Sequence, residues 1–399
     1  MRAGEPRART RADIAIVGGG ISGLALAFEL SRRSQMQIVV LEQGYTGAGA
    51  SSRNVGRIRA MQLTPELTRF ALTAQRKHAR LSDELGANTL FWRAGYAWVL
   101  YEEEEIERMA PLLPMFRDSG VRGVRLLRGR RLERRLPVLR GGDRPVAAVI
   151  GRDAIGHHDA VVAAYRRACE RAGVLVLEGT KAIDLLREGD RVVGVRTREA
   201  ELMAGIIVNA TEGWSRELSA SVGVAVPNTP VRREVFVTEP AHPFMREAIT
   251  FYRPAEGWFN QTIRGELVAG MTAHDEVPGL NHDSSLGFLL RTSEALMRKA
   301  PRLGHLRVIR QWAGVYDMTP DRLPIVGPVT SRPGLVQMNG YSGRGFALAP
   351  LVAELLAGWL TTGDRPEALA SFDPERFAAG WPADVLTTDY YTGYRRDDG

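Results

Sequence analysis

Three glycines, Gly18, Gly20 and Gly23, stand in the spacing G-x-G-x-x-G within Gly18-Gly19-Gly20-Ile21-Ser22-Gly23. That spacing suits a loop that meets a pyrophosphate. The first glycine allows a tight turn, the second lets the backbone approach the ligand, and the third lets a helix pack on its strand. A helix that starts there aims free N–H groups and the positive end of its dipole at the phosphates. Glu42 lies 19 residues beyond Gly23. There a carboxylate accepts hydrogen bonds from a ribose diol and repels a 2′-phosphate. These residues alone imply a dinucleotide with a free ribose diol, NAD or FAD.

Other side chains set limits on the chemistry. Cys169 is the only cysteine, which excludes an intrachain disulfide and a cysteine metal cluster. It falls in the amphipathic helical segment 161–171 and reads as structural. The seven histidines show no ligand spacing such as H-E-x-x-H, so no metal is expected. Lysine occurs only at Lys77, Lys181 and Lys299, leaving 50 of the 53 basic residues as arginine. The net charge is +7. The densest basic run, Arg128, Arg130, Arg131, Arg134 and Arg135, carries no interleaved aromatics. It reads as a solvated helix face and not as a nucleic-acid surface.

The glycine loop requires a strand before it and a helix after it, and both are legible. Residues 13–17 form a short apolar run, 21–33 have helical spacing, and 37–41 form a second apolar strand ending at Glu42. Together they make one βαβ unit. The Gly-, Ser- and Arg-rich stretch 44–59 reads as a long functional loop, and Thr64-Pro65 as the cap and first residue of a helix over 64–85. A second α/β segment runs over 159–210: a helix capped by Asp159, a strand at 174–177, a hairpin turning at Glu188-Gly189-Asp190, and a strand at 205–209. The chain ends with a strand at 335–339, a glycine turn and a helix at 348–360. The expected class is α/β: a discontinuous Rossmann-type cofactor domain (1–85, 150–225, 320–399) and an α+β substrate domain with a mainly antiparallel sheet (86–149, 226–319). The arm before Asp13 is expected to be frayed. No run of about 18 apolar residues suggests a membrane span, and a cytoplasmic protein is expected.

Four further segments carry a resemblance. Gly49-Ala50-Ser51-Ser52-Arg53-Asn54-Val55-Gly56-Arg57-Ile58-Arg59 resembles the flavin loop of the D-amino-acid oxidase superfamily of FAD-dependent oxidoreductases. The branch of sarcosine oxidase β subunits, proline dehydrogenases and glycine oxidases is the most similar. The segment 208–215 resembles its "NATG-W-S" element, 312–321 its "G-Y-D-MTPD" element, and Gly340-Tyr341-Ser342-Gly343-Arg344-Gly345-Phe346 its "GFSGHGF" element. The resemblance runs from Asp13 to about Phe377.

It implies FAD held without a cysteine link, by Gly18, Gly20, Ile21, Ser22, Gly23, Glu42 and Gln43 at the ADP end. Ser51 and Ser52 would reach the pyrophosphate, and the backbone of Val176 the adenine. Ala210, Trp214 and Gly314 are implied as further cofactor contacts. Arg53 and Asn54 would lie along the flavin ring, and Gly340, Ser342, Gly343, Arg344, Gly345 and Phe346 at its O2 edge, where N–H groups stabilise the charge of reduced flavin. The reaction implied is hydride transfer from the carbon next to an amine nitrogen to flavin N5, on a small sarcosine-, proline- or glycine-like amino acid. Arg59, with Arg57 as an alternate, would hold the carboxylate, and the aromatics Tyr96, Trp98, Tyr252, Trp258, Phe259 and Trp312 are candidates to line the substrate cavity, Tyr252 and Trp312 first.

Three departures qualify the resemblance. Gly314 stands where monomeric sarcosine oxidases carry their flavin-linked cysteine. Ala347 stands where they carry a second carboxylate-binding lysine. Their oxygen-activating lysine falls near Val268, far in sequence from all three lysines, so Arg264 or Arg344 would have to replace it. Either oxygen or an electron-accepting partner, with the chain as a β-type subunit of a hetero-oligomer, is therefore a candidate acceptor. A non-catalytic flavin scaffold and an NAD-dependent dehydrogenase are the other readings. His158 aligns with the histidine that holds FMN in heteromeric sarcosine oxidase β subunits.

Overall fold

A computed structural model describes residues 8–253, 257–272 and 276–381. Two eight-stranded sheets divide them. In the first, Ala8–Val17 lies at the centre, parallel to Ala200–Asn209 on one side and Ile38–Leu41 on the other. Leu175–Leu177 extends the sheet beyond Ile38–Leu41, and Leu335–Asn339 and then antiparallel Ile325–Pro328 extend it beyond Ala200–Asn209. The hairpin Asp184–Glu188 and Arg191–Arg196 leans on Ala200–Asn209. The central strands are buried on both faces, which is why they read as continuous apolar runs.

The helix Ile21–Ser31 crosses this sheet and packs against Gly345–Thr362, which in turn meets Pro65–Leu85. Gly345–Thr362 contradicts the expectation that no segment is long and apolar enough to span a membrane: by length and composition it is. Its apolarity on nearly all sides follows from its central position, since Phe346 to Ala353, Leu356 and Ala357 are all buried in the core.

The second sheet runs Val308–Met318, Thr229–Pro240, Glu266–Gly270, Trp258–Gln261, Glu247–Phe251, Gly95–Leu100, Ala147–Arg152 and Arg125–Leu127. It is antiparallel except where Gly95–Leu100 and Glu247–Phe251 run side by side in parallel. Its strands come from 95–152 and 229–318, between the segments that build the first sheet. Arg57–Ile58 pairs with Ala154–Ile155 as a small bridge between the two units.

Local chemistry explains two differences from the sequence reading. The first strand begins at Ala8, not after a frayed arm, because residues before Asp13 continue the pairing up to Ala8 opposite Ala200. Thr10, Arg11 and Asp13 face solvent while Ala12 and Ile14 face the core, and that polar alternation disguises the strand. The helix His158–Arg171 starts earlier than expected, and its cap is His157, whose Nδ1 accepts from Ala160 N at 3.4 Å. Thr64 does cap Pro65–Leu85, accepting from Leu67 N. Cys169 is buried, donates to Leu24 O, and burial pushes its thiol up to about 12, which makes it inert.

Candidate active site

The glycine loop is forced by contact. Gly18 has φ +116°, and a Cβ there would lie 2.3 Å from Ala210 O; one at Gly23 would lie 2.0 Å from Gly18 O. The turn is thereby clamped between two strands and its own helix. No side chain of the cap residue Gly20 closes the N-terminus of Ile21–Ser31; the Ser51 hydroxyl, arriving from the long loop, accepts from Ile21 N at 2.9 Å. Ser51 therefore stands where the pyrophosphate was expected, whereas Ser52 lines a different cavity. Glu42 accepts from Gly19 N and Gly44 N, each at 2.8 Å, and burial raises its carboxyl above the usual range.

A cleft of about 710 Å³ opens over this loop. Gly18, Gly20, Glu42, Gln43, Ala210 and Trp214 border it as expected. Its other wall is residues 180–183, a stretch without any motif. Val176 packs into the core beside it and does not border it. Trp214 stacks on His282 at 5.7 Å, and His282 also faces the cleft.

Two carboxylates mark the joint between this cleft and a second, deeper cavity. Glu212 stands fourth in Asn209-Ala210-Thr211-Glu212, where the resembled element has glycine. It keeps a glycine-like backbone, φ +52°. It borders both cavities, and Ser22 Oγ donates to its Oε1 at 3.2 Å. Burial, reinforced by the nearby Asp317, pushes its carboxyl well above the usual range. Burial raises Asp317 to about 6, against hydrogen bonds from the Asn228 side chain and from Gly340 N at 2.8 Å. The latter bond uses the Gly340 N–H, and Ser342 N donates to Asp317 O at 2.9 Å. The expected O2-edge donors therefore reduce to the following turn. Gly343, Gly345, Phe346 and Ala347 border the cavity at the start of Gly345–Thr362, whose cap residue supplies no side-chain acceptor. An open helix start of this kind receives negative charge. Gly343 is held to glycine there, since a Cβ would meet the Tyr316 ring at 2.4 Å.

The far end of the cavity gathers guanidiniums. Arg59 and Arg344, each 8% exposed, converge on one neutral acceptor, Gln62 Oε1, at 3.2 and 3.0 Å. Arg344 also donates to Arg322 O, and Arg59 lies over the Tyr96 and Trp98 rings. Behind them Asp153 accepts from Ala60 N and Gln75; burial, only partly offset by those bonds and by Arg59, raises it to about 7. Arg57, the alternate, is committed elsewhere: its nitrogens donate to Asn260, Thr250 and Ile249 O. Tyr96, Trp258 and Arg233 complete the wall.

Arg53 partitions the interior. Its loop crosses Val308–Met318 at Gly314, where a Cβ would lie 3.0 Å from Arg53 Cβ, and its Nη1 donates to Ala313 O. Asn54 and Gly314 stay on the side of the guanidiniums. Trp312, two residues back along the strand, falls on the other side, its Nε1 donating to Arg53 O at 3.0 Å. Tyr252 is 2% exposed, packed in the core behind the second sheet. Tyr252 and Trp312 thus do not border the inner cavity, whereas Tyr96 and Trp258, also candidates, do. Arg264 does not replace a lysine there either, since it is half-exposed, paired with Glu266 at 3.0 Å, and borders the cavity beyond Arg53. Among the described residues no lysine borders the inner cavity.

That outer cavity measures about 690 Å³. His157 and His158 stack at its wall, 5.2 Å apart, with Arg166, Arg264 and Arg310 around them. Burial lowers both imidazoles, His158 to about 4, so both are neutral at pH 7. Among the described residues no group of three or more His, Cys, Asp or Glu is placed to hold a metal ion.

A Rossmann loop with a carboxylate at the end of the next strand, joined to a buried cavity with an open helix start, defines a dinucleotide-dependent oxidoreductase whose second sheet covers the inner cavity. The chain belongs to the DAO family of FAD-dependent oxidoreductases, whose model matches residues 13–359. It is 28% identical over 383 residues to the sarcosine oxidase subunit beta of Rhodobacter capsulatus, covering 94% of this chain and 91% of that protein. It is 26% identical to the glycine oxidase of Geobacillus kaustophilus, covering 92% and 97%. The crystal structure of L-proline dehydrogenase from P. horikoshii superposes with a TM-score of 0.86 at 25% identity, over 94% of this chain and all of that one. The fit to FAD rests on the chain itself: the Gly18 and Gly23 positions leave no room for a side chain, and the starts of Ile21–Ser31 and Gly345–Thr362, neither closed by its own cap residue's side chain, both border the joined cavities.

Proposed function

We propose that this enzyme oxidises a small amino acid of the sarcosine, proline or glycine kind at the carbon next to nitrogen. The observation that carries the reading is the convergence of Arg59 and Arg344 on Gln62 Oε1 at the buried end of the flavin cavity. Two cations joined by a neutral acceptor in a low-dielectric site form a receptor for one carboxylate, and two guanidiniums offer it several charge-assisted bonds. Tyr96 and Trp258 bound a small apolar volume beside them, which limits the side chain accepted. The bound flavin supplies the acceptor for a hydride. The substrate loses that hydride from carbon, its nitrogen lone pair closes the C=N bond, and water hydrolyses the resulting imine. FAD is held without a cysteine link: Gly314 offers no thiol, and the one cysteine is buried beside Leu24 O.

The second reading, transfer of electrons to another carrier instead of oxygen, is favoured by the cavity behind Arg53. Neutral His158 and three arginines in 690 Å³ suit a phosphorylated second flavin, FMN, and a hetero-oligomeric partner would then complete the chain of carriers.

The test is an anaerobic titration of the purified yellow protein with sarcosine, proline and glycine, followed by readmission of air. Bleaching by one of the three is expected. A protein that none of them bleaches contradicts the catalytic reading and returns the chain to a flavin scaffold. Fast recolouring in air marks an oxidase and slow recolouring a dehydrogenase, and FMN beside FAD in an acid extract would establish the second carrier.

A further inference from the structure

A third hollow, on the outer side of the second sheet, takes no part in this chemistry. It measures about 1070 Å³, larger than the cleft over the glycine loop. Nine of its 21 bordering residues are arginine, against 50 of 399 in the whole chain. Arg131, Arg134 and Arg135 project from one helix of about two turns, Gly129–Arg135. Arg122, Arg125 and Arg152 stand at the edge strand and its neighbour, and Arg76, Arg93 and Arg246 close the ring. All nine are exposed.

Their concentration around one hollow, with little compensation, separates this ring from an ordinary arginine-rich surface. Some exposed arginines elsewhere take a nearby carboxylate, as Arg69, Arg108 and Arg128 do. Among the described residues, only Arg135 of the nine has an ion-pair partner, Glu247. Eight guanidiniums held around one hollow repel one another and raise its potential. The basic run 128–135, which the sequence presents as a plain solvated face, is one arc of this ring.

The distribution of charge selects the ligand. The floor holds the buried acids Asp153 and Glu247, so a small anion that sinks into the hollow meets carboxylates. The cations are exposed and come from separate elements around the hollow, so a broad ligand is needed to meet many of them at once. Among the described residues, Trp92 is the only aromatic on the wall, too little for a run of stacked bases. We propose that this ring docks an acidic polypeptide, a partner segment or surface rich in Asp and Glu, through bidentate arginine–carboxylate pairs. Trp92 also borders the His157–His158 cavity, so a docked partner lies beside that cavity's mouth. The docking does not depend on which acceptor takes the electrons.

The test measures binding of labelled poly-L-glutamate to the FAD-loaded protein by anisotropy, at low and moderate salt. A DNA duplex and inorganic triphosphate serve as competitors. Polyglutamate is expected to bind tightest and to weaken steeply with salt. Arg131→Glu with Arg134→Glu should weaken it about tenfold or more, while Arg187→Glu with Arg191→Glu on the distant hairpin leaves it unchanged. Melting temperature and flavin spectrum confirm that each variant folds; if the reversal pair does not fold, Arg131→Gln with Arg134→Gln takes its place with the same expectation. Equal weakening by both pairs, no weakening by the rim pair, or tighter binding of the duplex or of triphosphate overturns the proposal.

Discussion

Replacing Gln62 by glutamate separates carboxylate binding from fold stability. The wild-type amide oxygen accepts from Arg59 Nη2 at 3.2 Å and from Arg344 Nε at 3.0 Å. A glutamate oxygen in that place accepts the same two bonds as an anion. The wild-type bonds already join a cation to a neutral oxygen, worth roughly 1.5–3 kcal/mol each, and a carboxylate there turns them into the stronger charge-on-charge kind. The internal carboxylate therefore stabilises the cluster, less the cost of desolvating a new anion. It also occupies the cations that the substrate needs. Loss of one strong charge-assisted contact to the substrate, about 2–3 kcal/mol, corresponds to a rise in KM of roughly 30- to 150-fold. The expected result in Gln62→Glu is an unchanged or higher melting temperature with that rise in KM, read by steady-state kinetics on the best amino-acid substrate. Gln62→Leu should also raise KM but lower the melting temperature, because two buried donors lose their acceptor. A Gln62→Glu enzyme that keeps the wild-type KM would refute the carboxylate role of the cluster.

Asp153 makes stability depend on pH. Its folded pKa is raised to about 7 from an unfolded value near 3.8. The stability it contributes is thus complete below pH 4 and is lost as pH rises to 7, on the order of 4 kcal/mol at most. Asp153→Asn should flatten the fall in melting temperature between pH 4 and 7, and an unchanged slope would contradict the burial argument. Glu212→Gly removes a left-handed non-glycine residue and a buried carboxyl. Chemical denaturation at pH 8 should show a gain of about 1–2 kcal/mol, and a loss of that size would show that the Ser22 bond matters more. Acid precipitation should release all flavin into the supernatant, whereas a yellow pellet would reveal a covalent link.

The parts of the site that are contiguous in sequence are legible there. Gly18 to Gly23 and Glu42 act through a turn, a helix start and the end of the next strand, and each of those is a local feature. Arg59 and Arg344 stand out as residue types within motifs. Gln62 does not, because its importance arises only when Arg344, 282 residues away, folds onto it. Tyr96 and Trp258 are among six aromatics the sequence offers for the cavity, but they and Arg233 come from three separate strands of the second sheet, and no periodicity in one strand says which of its aromatics faces a cavity assembled from others. Trp312 shows the same difficulty in reverse. It sits two residues from Gly314 on one strand, yet the Arg53 loop crossing at Gly314 puts it outside. The arginine ring is likewise spread from Arg76 to Arg246, and only its 128–135 arc is visible as a run.

Anaerobic reduction by sarcosine set against dimethylamine, the same amine without its carboxylate, tests the central claim most directly. With Arg59, Gln62 and Arg344 as the carboxylate receptor, sarcosine bleaches the flavin and dimethylamine at the same concentration leaves it yellow. Bleaching by dimethylamine at a comparable rate would contradict the account.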